Sequence, residues 1–218
     1  MKTICTIVFF LLLIQYSNAQ QPAYWNDIQN FKKQDSAKKP APGQVLFVGS
    51  SSFTMWRDVQ EYFPSVQIIN RGFGGSSLPD LWRYKEDVIT PYQPKQIVMY
   101  CGENDFAASD TVTVATVVGR FKQLYTWIRS KYGNIPFVYV SMKPSPSRRN
   151  LMPKYEAANK EIAKYLKKYK NTKFVDVYHS MLKPDGEPMT DIFIGDNLHM
   201  NAKGYAIWKK LLEPHLLK

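Results

Sequence analysis

Four short segments hold most of the residues able to do chemistry, and each stands beside an apolar run. Gly49-Ser50-Ser51-Ser52 follows "VLFV", Asn70-Arg71-Gly72-Phe73-Gly74-Gly75-Ser76 follows "VQII", and Gly102-Glu103-Asn104-Asp105 follows "QIVMYC". The fourth, Gly195-Asp196-Asn197-Leu198-His199-Met200-Asn201, precedes an apolar stretch of helical period. Together they offer a hydroxyl, a glycine N–H, a side-chain amide and an Asp/His pair, the parts that acyl transfer requires.

Each part answers a chemical need. A serine hydroxyl is a weak nucleophile until an imidazole takes its proton. That imidazole needs an acceptor on its other nitrogen to fix the tautomer and stabilise the imidazolium. Only three histidines are available. His215 lies beyond Pro214 in the tail, and His179 is set aside as lacking a carboxylate arranged for it. His199, with Asp196 three residues earlier in a Gly/Asn-rich loop, is the expected base. The residues themselves leave open which of Ser50, Ser51 and Ser52 is the nucleophile. Cys101 closes an apolar run and reads as a small core residue. No H-E-x-x-H or C-x-x-C spacing occurs, so neither a metal nor a cofactor is expected.

These segments need a scaffold that delivers them to one place. Strands are expected at 45–49, 66–70, 96–101, 135–140 and 173–177, and helices at about 54–63, 77–90, 110–132, 151–169 and 201–212. An amphipathic helix carrying Trp25, Ile28 and Phe31 leads, followed by a Pro/Gly connector. Ser77 with Asp80 marks one helix start, Asn201 caps the last helix, and Gly133 ends the long one. Apolar strands alternating with helices imply a parallel sheet covered on both faces. Ligands then bind beyond the carboxyl ends of the strands, where the four segments fall.

In order and position, the segments resemble the four blocks of the SGNH (GDSL-like) hydrolase superfamily, closest to its secreted esterase branch related to platelet-activating-factor acetylhydrolase and lysophospholipase. The resemblance runs from about residue 44 to 212. It implies a three-layer α/β/α sandwich with a five-stranded parallel sheet in a flavodoxin-like arrangement. It also implies that Ser51 is the nucleophile, that Asp196 and His199 complete a triad, and that Ser51, Gly75 and Asn104 form the oxyanion hole. Two positions depart from the pattern. Ser50 stands where the family usually has Asp, and Glu103, where threonine is common, is expected to bring a carboxylate to the rim of the site.

The first nineteen residues read as a cleaved signal peptide: Lys2, the eleven-residue run "ICTIVFFLLLI", then Ser17-Asn18-Ala19. Eleven residues fall short of the roughly 20 that span a bilayer, so no stable membrane insertion is expected after cleavage. Residues 20–218 read as one secreted or periplasmic domain. The chain carries a formal charge of +11. Much of it comes from residues 154–173, where seven lysines coat a helix whose apolar positions are Tyr155, Ala158, Ile162, Leu166 and Tyr169. No nucleic-acid-binding signature accompanies them, so no nucleic-acid partner is expected. The expected substrate is a small-molecule ester, an acylated glycan or a lysolipid. The alternative is a secreted, non-catalytic carbohydrate-binding domain on a hydrolase fold. The segment "KPSPSRRNLMP", 143–153, is expected to line the mouth of the site with Arg148 and Arg149.

Overall fold

The first apolar run becomes the second strand of a five-stranded, all-parallel sheet with the order β2-β1-β3-β4-β5 in a computed structural model that describes residues 21–218. The strands are β1 (Val45–Gly49), β2 (Ile68–Gly72), β3 (Gln96–Tyr100), β4 (Phe137–Val140) and β5 (Thr172–Val175). The helices are α1 (Trp25–Ala37), α2 (Ser51–Thr54), α3 (Val59–Tyr62), α4 (Leu78–Val88), α5 (Glu103–Ala107), α6 (Val114–Tyr132), α7 (Met152–Leu166) and α8 (Ala202–Leu212). The leader read at residues 1–19 lies outside the described residues. Among the described residues, no helix is long and apolar enough to cross a membrane.

The period-2 alternation of each strand divides the core in two. Leu46, Val48, Ile97, Met99, Phe137 and Tyr139 pack against α1, α4, α6 and α7. Val45, Phe47, Val98, Tyr100, Val138 and Val140 pack against α2, α3 and α8. The expected three-layer α/β/α sandwich, flavodoxin-like in its strand order, is what forms. From β1 the chain goes to one side for β2 and to the other for β3, so the crevice between β1 and β3 is the switch point.

The expected helix starts and stops hold. The Ser77 N–H donates to Asp80 Oδ2 at 2.9 Å, and Asn201 Oδ1 accepts from Lys203 N at 2.9 Å. Gly133 ends α6 with φ +57°. Three of the departures from expectation bear on packing. The helix expected at 54–63 is two short ones, because the chain turns between them to bury Trp56, which stacks on Tyr205 with centroids 4.7 Å apart. Strand β2 runs on through Arg71 and Gly72, since Arg71 is buried by hydrogen bonds to Asp35 and Tyr92. Helix α7 stops at Leu166, which leaves Tyr169 exposed beyond it.

Candidate active site

The first segment is positioned by a close approach of two strand ends. Gly49 has φ +149°, and a Cβ there would lie 1.9 Å from the Tyr100 carbonyl oxygen. Only glycine fits, and its absent side chain lets Ser50 N donate to that carbonyl at 3.0 Å. The chain then turns at once into α2. Ser51 is the first residue of that helix, so its N–H has no intrahelical acceptor. Ser50 and Ser52 are buried, whereas Ser51 is partly exposed.

The second segment is tied to the first by two contacts. Phe73 N donates to the Gly49 carbonyl at 2.9 Å, and Ser76 Oγ donates to the same oxygen at 3.2 Å. Gly75 between them takes φ +83°, and its carbonyl accepts from Tyr24 Oη at 2.9 Å, so the start of α1 braces the turn.

The third segment forms α5, a helix the sequence reading treated as loop. Its Asp105 is fully buried, accepting from Leu78 N at 2.9 Å and from Arg120 at 2.8 Å, which locks α5 to the start of α4. Burial raises the Asp105 pKa against those bonds. Asn104 then reaches three partners. Its Nδ2 donates to Ser50 Oγ at 2.8 Å and to the Ser76 carbonyl at 3.0 Å, while its Oδ1 accepts from Arg148 at 2.9 Å.

Glu103 is not at the rim, as expected from sequence, but only 7 % exposed. Its carboxylate accepts from Tyr100 Oη, from Lys143 N at 2.9 Å and from Lys143 Nζ at 3.3 Å. Burial lowers the Lys143 pKa, and the Glu103 charge beside it opposes that shift.

The fourth segment brings in the imidazole. Asp196 receives Leu198 N and His199 N, each at 2.9 Å, and faces His199 Nδ1 at 2.6 Å. Burial acts to raise the Asp196 pKa, but the His199 side-chain bond, the backbone N–H bonds and the His199 charge outweigh it and hold it at about 2. Ser51, Thr54, Met55, Gly74, Gly75, Asn104, Arg148, Leu198 and His199 line one cleft of about 340 Å³. Four of the five expected site residues therefore share a cleft, and the fifth, Asp196, is held behind His199.

His179 needs a correction. Asp176 also stands three residues before it and faces its Nδ1 at 2.7 Å, so this histidine does have its carboxylate. What separates the two pairs is surroundings. His179 belongs to another cleft, lined by Glu156, Asn159, Lys160, Ala163, Phe174 and Tyr178, which offers no serine. Cys101 is buried as expected, and burial raises its pKa well above the ordinary thiol value. Arg149 is exposed and pairs with Glu187 at 2.6 Å, away from the cleft that Arg148 lines.

The model of the GDSL-like Lipase/Acylhydrolase family matches residues 44–207. Platelet-activating factor acetylhydrolase IB subunit alpha2 of Rattus norvegicus is 28% identical over 171 residues, covering 74% of this chain and 71% of the relative. The human protein of that name matches over the same extent with the same identity. Among solved structures, a GDSL-like lipase from Bacteroides thetaiotaomicron superposes with a TM-score of 0.72 at 23% identity, covering 86% of this chain and 95% of that one.

Proposed function

The chain belongs to the GDSL-like lipase/acylhydrolase family and is a hydrolase acting on ester bonds; from that premise we propose that it works through an acyl-enzyme on Ser51. The observation that carries this reading is the single cleft lined by Ser51, Gly75, Asn104 and His199, with Asp196 on the far side of the imidazole.

With Nδ1 bonded to Asp196, the imidazole has Nε2 left to accept the Ser51 proton. Ser51 Oγ bonds to the ester carbon as the carbonyl π pair moves onto oxygen. That oxyanion is met by the N–H groups of Ser51 and Gly75 and by the Asn104 amide. Collapse expels the alcohol oxygen, which takes the proton from His199. Water then repeats the sequence, with His199 as base, and releases the acid and free Ser51.

In the substrate-free chain the two Asn104 Nδ2 hydrogens point to Ser50 Oγ and the Ser76 carbonyl. A charged acceptor forms roughly twice as strong a hydrogen bond as a neutral one, so a developing oxyanion outcompetes the Ser50 hydroxyl. The amide therefore contributes most in the transition state.

The substrates we assign are small acyl or acetyl esters, acylated glycans or lysophospholipid-type esters. Met55 and Leu198 give the open cleft an apolar wall suited to a short acyl group. The leader read at residues 1–19 supports work outside the cytoplasm. The test is labelling by a fluorophosphonate followed by peptide mapping. Adduct on Ser51, with none in Ser51→Ala, is expected; adduct on Ser50 or Ser52 would overturn the assignment.

A further inference from the structure

Arg148 is the one guanidinium among the residues lining the Ser51 cleft, and it faces the protein as well as the cleft. One nitrogen donates to Asn104 Oδ1 at 2.9 Å, and the other lies 3.7 Å from Glu103 Oε2. The side chain is only 20 % exposed. It projects from a 3₁₀ turn, Pro146–Leu151, at a residue whose own backbone breaks the helix with φ −121° and ψ 30°. Ser147 N, its neighbour, donates to the Asn197 carbonyl at 3.1 Å, so the same turn is fastened to the loop of Asp196 and His199.

Behind the guanidinium, Glu103 is held by Tyr100, by the Lys143 backbone and by the Lys143 ammonium, so its carboxylate has little freedom to move. Lys143, 1 % exposed, also lies over the ring of Phe193, 5.8 Å from its centroid, at the start of the His199 loop. Arg148 and Lys143 thus share one carboxylate, and the guanidinium is set directly against the Asn104 carbonyl.

We propose that Arg148 is a positioning residue that acts through Asn104: it anchors the Oδ1 end of the carboxamide and polarises it, so that Nδ2 is a stronger and better-aimed donor to the oxyanion. This rests on the acyl-enzyme reading given above. A charge-assisted bond to an amide oxygen draws electron density from the amide nitrogen and strengthens its N–H as a donor. The effect lies in the transition state, because the ground-state carbonyl carries little charge to exploit it. The Glu103–Lys143 pair sets where the guanidinium sits.

The test uses the full chain and p-nitrophenyl acetate, a neutral ester with no anionic group for an arginine to bind. Arg148→Ala and Arg148→Met are expected to lower kcat roughly tenfold or more, short of the 10²–10³ lost with a donor itself, with KM changed only a few-fold. In an Asn104→Ala background the same substitutions should have almost no further effect on kcat, since the group they act through is gone. Guanidinium ion in solution should restore part of the activity of Arg148→Ala and none of that of Asn104→Ala. The rate at which a fluorophosphonate labels Ser51 gives a second readout, and Arg148→Lys gives a variant that retains charge should the shorter ones fold poorly.

A rise in KM alone, wild-type kcat in Arg148→Met, or a full additional loss in the Asn104→Ala background would each overturn the positioning role while leaving the esterase reading intact. Absence of both turnover and Ser51 labelling in the wild-type chain would remove the esterase reading, and this inference with it.

Discussion

Asn104 and Ser50 are joined by a 2.8 Å hydrogen bond in which the amide donates and the hydroxyl accepts. The pair links the segments after β3 and β1 across the switch point of the sheet. It also gives a partner to Ser50, the residue that departs from the pattern the sequence resembles. A neutral acceptor holds the amide in place and, on the acyl-enzyme proposal, surrenders it readily to an oxyanion.

Replacing Asn104 by Ala should therefore lower kcat by about 10²–10³, with KM changed only a few-fold. Asn104→Asp should be at least as harmful, because a carboxylate offers no donor and repels the developing charge. Ser50→Ala removes only the resting partner and should keep kcat within about tenfold of wild type, a net hydrogen bond being worth about 1 kcal/mol. Steady-state kinetics on one ester across the three variants checks the order. A Ser50→Ala loss equal to that of Asn104→Ala would mean that Ser50 takes part in the chemistry.

The acid limb of kcat/KM should report one proton. On the acyl-enzyme proposal, an imidazole already protonated on Nε2 cannot accept the Ser51 proton, so activity declines on the acid side. Asp196, held at about 2, stays ionised throughout this range and adds no second step. The sign for stability is separate. A carboxylate depressed below its unfolded value of about 3.9 stabilises the fold above that pH, and this is lost as pH falls towards 2. Asp196 is 43% exposed, so this contribution is small. A slope of two in the acid limb of log(kcat/KM) would contradict the single-proton reading.

The two Asp-x-x-His pairs provide an internal control. His199→Ala should abolish ester turnover, whereas His179→Ala should leave kcat within about twofold, because its cleft offers no serine. Equal losses in both variants would mean that the choice of base is wrong.

Trp208 is fully buried among Phe53, Trp56 and Tyr100 on the face that supports α2. Trp208→Ala should cost about 3–5 kcal/mol, the range for removing a large core aromatic. Urea unfolding followed by circular dichroism measures it, and a loss below about 1 kcal/mol would show that the second core is loosely packed.

Much of the candidate site's layout was legible because its residues sit at sequence discontinuities, an apolar strand running into Gly-Ser or Gly-x-Asn, or an Asp-x-x-His loop running into a helix. Those junctions depend on local chain geometry, which sequence carries directly. The rest depends on contacts far apart in the chain. Glu103 reads as a rim carboxylate until Lys143 and Tyr100 are seen to enclose it. Arg148 reads as a charge at the mouth of the site, no different from Arg149, until Asn104 is seen beside it. The break between α2 and α3 is set by Tyr205, far along the chain, taking the face of Trp56. The Asp176–His179 spacing, in contrast, was present in the sequence and was passed over, and only the surroundings of each pair distinguish it from Asp196–His199.

Tyr205 stacks on Trp56, and its Oη donates to the Ser52 carbonyl at 2.9 Å, so α8 forms part of the floor under α2. His199 and α8 both follow every strand of the sheet. A ribosome therefore delivers Ser51 early, and delivers His199 and the last structural support of α2 together and late. On the acyl-enzyme proposal, chemical competence is the final property this polypeptide acquires during its synthesis. On that proposal a chain clipped ahead of Asp196 keeps Ser51 yet lacks the base that would activate it.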